Sequence, residues 1–131
     1  MIVLDTHAWL WWLSDSPELS AKAKKAINAA RKRQEIYISV ISTWEVAMLI
    51  AKGRLSLGIP IQEWVAKTES LSFVSFAPID NALALESVML PGTFHADPAD
   101  RMIVATARRL NATLISRDKK IHGYSHVKAL W

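Results

Sequence analysis

The sequence predicts an α/β fold with a mostly parallel central sheet, and three observations carry that expectation. Short apolar runs, of which Ile2-Val3-Leu4 is the first, stop abruptly at polar or acidic residues, as strands buried on both faces do. Between them lie segments with helical spacing of apolar residues and recognisable capping residues. Strands and helices alternate, which predicts right-handed βαβ units around a parallel sheet. With 131 residues, 51% of them hydrophobic, the chain has the size of one domain, expected to span 1–131, and the apolar side chains to fill its core.

The first strand delivers Asp5 to its carboxyl end, where open α/β sheets place their ligands. Asp5 is equally well placed to N-cap the helix expected over 6–13. That helix carries Trp9, Trp11 and Trp12 and is too apolar all round for a surface helix. Adjacent helical residues point about 100° apart, so Trp11 and Trp12 face different ways, and one ring is expected near the surface at a dimer contact or partner groove. Ser16-Pro17 breaks the chain before a helix over 19–33, whose lysines and arginines form a solvated basic face.

A strand over 36–38 leads into a helix over 42–52 that stops at Gly53. Glu45 is expected in its first turn, where Ser42-Thr43-Trp44-Glu45 has the spacing of a capping box. A helix over 60–70, a strand over 71–76 and a helix over 78–89 follow, the last ended by Pro91-Gly92. The clearest helix spans 98–110, with Asp97 as N-cap and Pro98 at its first position. A strand over 114–116 brings Arg117 and Asp118 to its end, and 127–131 reads as a short edge strand.

Absence of cysteine removes disulfides and thiolate metal sites and agrees with a reducing compartment. No apolar run reaches the roughly 18 residues of a membrane span, and the apolar start carries Asp5 and His7 with no basic segment before it. A soluble, cytoplasmic protein without membrane association is expected. The net charge of +4 suits a polyanionic partner such as nucleic acid.

Asp5 and Asp118 end separate strands, and Glu45 and Asp100 open helices, so a βαβ fold carries all four to one sheet edge. Carboxylates gathered there raise one another's pKa unless a divalent cation sits among them. Oxygen ligands without cysteine favour Mg²⁺ or Mn²⁺, and such ions activate water and stabilise a phosphodiester's developing charge. Asp97 and Asp100 compete for one role: Asp97 reads as the cap, leaving Asp100 free to project toward metal. Arg101 and Arg117 are candidates to screen the acids or contact phosphate. His122 and His126 have a helical zinc spacing, but Gly123 between them argues against a regular helix.

The stretches Leu4-Asp5-Thr6-His7 with Trp11-Trp12-Leu13, Ile41-Ser42-Thr43-Trp44-Glu45-Val46-Ala47 with Gly53-Arg54-Leu55, and His95-Ala96-Asp97-Pro98-Ala99-Asp100-Arg101-Met102-Ile103 leading to Leu114-Ile115-Ser116-Arg117-Asp118 resemble a PIN domain. Among PIN domains they are most similar to the VapC toxins of bacterial toxin–antitoxin pairs. The resemblance covers nearly the whole chain. It implies a three-layer α/β/α fold and a Mg²⁺- or Mn²⁺-dependent endoribonuclease. Asp5, Glu45, Asp100 and Asp118 would be its catalytic and metal-binding acids, with Thr6 as an accessory polar group. It also implies a homodimer inhibited by a small VapB-type antitoxin. Water attack on RNA would leave a 5′-phosphate and a 3′-hydroxyl. A PIN nuclease of RNA processing is the alternative within the family. A phosphatase of the haloacid dehalogenase type or a receiver domain is another Mg²⁺-binding alternative, but such a phosphatase wants a second Asp where His7 stands. A non-catalytic partner or DNA-binding module is the remaining alternative, for which metal and acids would be dispensable.

Overall fold

The computed structural model describes all 131 residues. Five short strands, β1 (Ile2–Leu4), β2 (Ile36–Ser39), β3 (Val74–Ala77), β4 (Thr113–Ile115) and β5 (Ala129–Leu130), form one sheet in the order β3-β2-β1-β4-β5, with every neighbouring pair parallel. The helices are α1 (Thr6–Leu13), α2 (Ala21–Arg33), α3 (Val40–Ala51), α4 (Ile61–Glu69), α5 (Asn81–Val88), α6 (Pro98–Arg109) and α7 (Lys119–His122). No helix is long and apolar enough to cross a membrane.

Strand side chains alternate between faces, and each face has its own core. Ile2, Leu4, Ile36, Ile38 and Ile115 pack with Trp9, Ile27, Val46 and Trp64 beneath α1, α2, α3 and α4. On the opposite face Val3 and Leu114 pack with Leu83, Ile103, Val104 and Ile121 beneath α5, α6 and α7. These two cores make the three layers, and they explain why β1 reads as an unbroken apolar run.

Register fixes where the chain delivers its polar groups. Leu4 pairs with Ile38 on one side and Ile115 on the other, and the Asp5 amide donates to the Ile115 carbonyl at 3.1 Å. The carboxyl ends of β1 and β4 therefore lie side by side, and the residues that follow them, Asp5 and Ser116 to Asp118, share one edge.

Several boundaries differ from expectation. α3 starts at Val40 because Ser39, the last residue of β2, caps it by accepting from the Ile41 amide at 3.2 Å. Glu45 consequently lies in the second turn, and the Ser42–Glu45 capping box does not form. β3 begins at Val74, later than the pattern suggested, because Leu71 and Ser72 complete a turn in which Leu71 accepts from the Val74 amide. Trp11 and Trp12 are both half-buried, packed against Trp131 and Phe73 respectively, so both rings, not one, lie near the surface at α1. The exposed tryptophan is Trp44 on α3, at 56%.

Trp9 is fully enclosed, its indole N–H donating to Thr68 Oγ1 at 3.3 Å and its ring lying 4.3 Å from that of Trp64. Trp9→Ala should cost about 3–5 kcal/mol of stability in urea unfolding, whereas Trp44→Ala should change it by no more than about 0.5 kcal/mol. Equal losses in the two variants would contradict this account of the core.

Candidate active site

The edge formed by β1 and β4 carries a cavity of about 360 Å³ lined by Asp5, Glu45, Asp97, Asp100 and Asp118, with Arg117 as its one arginine. Three of these acids hold a helix start as well as facing the cavity. Asp5 Oδ1 accepts from the Ala8 amide at 2.8 Å, capping α1. Asp97 Oδ1 accepts from the Asp100 amide at 2.9 Å, capping α6. Asp118 Oδ1 accepts from the Lys120 amide at 2.8 Å, capping α7. Capping and site residue were competing readings for Asp5; the carboxylate makes the cap and also lines the cavity, so one does not exclude the other. For the pair on α6, Asp97 makes the expected cap, and Asp100 makes no capping bond and faces the cavity.

Glu45 reaches the cavity from α3 and is held by the residue after Asp5. The Thr6 hydroxyl donates to Glu45 Oε1 and stands 2.9 Å from the Ser42 hydroxyl. Since Thr6 has one proton and gives it to the carboxylate, it can only accept from Ser42. Thr6 and Ser42 are both buried, so this chain of bonds fixes the Glu45 carboxylate from beneath.

Crowding shows in the acids' proton affinities. Asp100 is pushed up to about 7, first by burial and then by the charges of Asp97, Glu45, Asp118 and Asp5. Burial also raises Asp5, opposed by hydrogen bonds from Ser116 and Ala8, and raises Glu45, opposed by the Thr6 bond. A cation among these groups would reverse the balance and hold them ionised.

Asp100 and Asp118 lie within chelating distance of each other, and the third member of their group is His95, whose ligand atom and theirs all fall within 4.8 Å of one another. Asp5 and Glu45 line the same cavity outside that trio, each already engaged by the bonds described above. His95 stands beside the acids without having been singled out from the sequence. Its one signal there was position in His95-Ala96-Asp97-Pro98-Ala99-Asp100, two residues before a helix cap. The trio's mixed oxygen and nitrogen donors suit a divalent first-row cation.

Of the two arginines, Arg101 departs from expectation. Arg101 is not available to a phosphate: its guanidinium donates to the carbonyls of Ser87, Val88, Phe94 and His95 at 2.7–3.1 Å. It is a clamp for the segment between α5 and α6, because a five-donor fork satisfies several loop carbonyls at once. Arg117 lies at the cavity rim, paired with Glu18 and stacked 4.5 Å over the Trp11 ring. His122 ends α7 with Nε2 2.6 Å from the Ser116 carbonyl, engaged with backbone and not with His126.

A parallel doubly wound sheet with carboxylates collected at the carboxyl ends of its central strands defines an α/β protein built around an acidic edge. The family model of the PIN domain matches residues 2–127, and the chain belongs to that family. Ribonuclease VapC22 of Mycobacterium tuberculosis is 33% identical over 126 residues, covering 95% of this chain and 92% of the relative. A toxin–antitoxin complex from Klebsiella pneumoniae contains a similar chain, with TM-score 0.64, 25% identity, and coverage of 97% of this chain and 95% of that one. VapBC2 from Rickettsia felis, bound to a promoter DNA fragment, shares the fold with TM-score 0.71 at 17% identity, covering 99% and 98%.

The raised Asp100 carboxyl has a signed consequence for the metal-free protein. Between its ordinary value of 3.8 and about 7 the folded chain keeps a proton that the unfolded chain has released, so stability falls as pH rises through that window and levels off above it. Asp100→Asn should make this descent shallower in urea melts taken across the window. Asp97→Ala should instead lower stability by about 0.5–2 kcal/mol through loss of the cap. An unchanged descent in Asp100→Asn would contradict the assigned proton.

Proposed function

We propose that this chain is a metal-dependent endoribonuclease and the toxin of a VapBC-type toxin–antitoxin pair. The observation that carries the reading is the cavity of five carboxylates at the strand ends of a PIN-family chain. The ribonuclease name of a relative at 33% identity and the toxin–antitoxin complex at 25% support it. Asp5, Glu45, Asp100 and Asp118 form the catalytic and metal-binding set, and Mg²⁺ or Mn²⁺ is the cofactor.

When bound, the cation supplies Lewis acidity that lowers the pKa of water and offsets charge on the phosphate. Asp100 and Asp118 would hold the cation, and Asp5, which lines the same cavity, would add negative charge toward it. Glu45, fixed by Thr6, accepts the proton of the attacking water; Thr6 leaves one carboxylate oxygen for this. Asp97 keeps the first turn of α6, and with it Asp100, in place. Arg117, on the rim, is the group positioned to meet a phosphate of the substrate once it leaves Glu18. No side-chain nucleophile is required, so the product ends are a 5′-phosphate and a 3′-hydroxyl.

The partners follow from the same reading. RNA is the substrate, and the exposed basic face of α2 adds attraction for it. A VapB-like antitoxin takes the apolar cavity of about 540 Å³ that meets the acidic one at His7 and Trp11 and is walled by Leu10, Leu49, Leu57 and Trp64. Exposed Val40 and Trp44 on α3 suit the homodimer contact better than the covered tryptophans of α1. The cytoplasm is the site of action.

Cleavage of end-labelled RNA with Mg²⁺ or Mn²⁺ tests the enzyme. Asp5→Asn, Glu45→Gln, Asp100→Asn and Asp118→Asn should each slow cleavage by roughly 10²- to 10⁴-fold while remaining folded by circular dichroism. Full activity in Asp5→Asn, or cleavage that persists in excess chelator, would sink the mechanism.

A further inference from the structure

We propose that His95 is a direct nitrogen ligand of the cation and that it tilts the site from Mg²⁺ toward Mn²⁺. This rests on reading the acidic cavity as a cation site, and deepens that reading by adding a donor from outside the four acids.

His95 comes from the segment between α5 and α6, yet its Nε2 lies 3.0 Å from Asp100 Oδ2. The approach is close but misaligned. Nε2 is shielded from solvent and, despite the short distance, makes no hydrogen bond of acceptable angle. A histidine that merely supported Asp100 would be expected to align with it, since an unmade bond at a buried nitrogen carries the full desolvation cost. A shared cation removes that cost without requiring alignment between the two side chains.

The His95–Asp100 distance matches this arrangement. In an octahedron with bonds of about 2.1 Å, adjacent donors stand about 3.0 Å apart and opposite donors about 4.2 Å apart. His95 and Asp100 are separated by 3.0 Å, and the donors of His95, Asp100 and Asp118 all lie within 4.8 Å of one another.

The segment is also built to hold the ring there. Arg101, one residue beyond Asp100, donates to the His95 carbonyl at 3.1 Å and the Phe94 carbonyl at 2.9 Å. The Phe94 ring lies 4.5 Å from the His95 ring and 4.9 Å from that of Tyr124, whose hydroxyl donates to the Pro91 carbonyl. One turn of α6 therefore carries both a ligand, Asp100, and the clamp that brings a second ligand to it. Imidazole nitrogen binds first-row transition ions well, while Mg²⁺ strongly prefers oxygen, and this difference gives the selectivity.

Two measurements on the full chain test the proposal. With Mn²⁺ as the probe, electron spin-echo modulation of the wild-type protein should show nitrogen coupling that His95→Asn lacks. Calorimetric titration should show His95→Asn losing roughly tenfold or more in Mn²⁺ affinity while Mg²⁺ affinity changes little. Bound Mn²⁺ without nitrogen coupling in the wild type, or equal losses for both ions in the variant, would overturn the ligand role and leave the nuclease reading standing. Failure of the wild-type chain to bind Mn²⁺ at all would overturn both.

Discussion

The organisation of this protein depends on the crowding of negative charge at the carboxyl ends of β1 and β4. Those strands are neighbours in register, so Asp5 and Asp118 cannot be placed apart, and α3 and α6 bring Glu45, Asp97 and Asp100 against them. Burial first and the neighbouring like charges second raise Asp100 to about 7. In such a site a divalent cation is the natural complement, because it offsets every member of the cluster at once.

The surrounding structure limits the cost of the crowding when no cation is present. Asp5 and Asp97 each accept a backbone N–H at the start of α1 and α6, where the helix dipole also favours negative charge. Glu45 accepts from Thr6. These bonds orient the carboxylates as well as stabilise them, so ligand geometry and fold stability draw on the same contacts. The Arg101 clamp extends the principle to the loop before α6, where one guanidinium bonds the Phe94 and His95 carbonyls together with the last two carbonyls of α5.

Much of the fold was legible because the strong signals were local. Ile2–Leu4 followed by Asp5, the Asp97-Pro98 start of α6 and the alternation of strands with helices each state their structure in consecutive residues. The acids that gather at the edge followed from the same rule of strand ends. What escaped was non-local. Ser39 wins the cap of α3 over Ser42 because it already sits at the end of β2, which residue spacing alone does not weigh. His95 lies in an irregular segment whose path is set by Arg101, and no periodicity signals a ring delivered by a loop. A partly exposed ring was expected on α1 and two are found there, each partly covered by Phe73 or Trp131 from distant parts of the chain, but the most exposed tryptophan, Trp44 on α3, carried no signal of its own.

The central claim is that the acidic edge exists to hold a cation, and locating that cation tests it most directly. Crystals grown with Mn²⁺ and measured at the manganese absorption edge should give one dominant anomalous peak between the Asp100 and Asp118 carboxylates, facing Asp5. A peak elsewhere on the chain, or none in crystals where Asp100 and Asp118 are ordered and the metal is saturating, would contradict the account and leave the carboxylate cluster without its explanation.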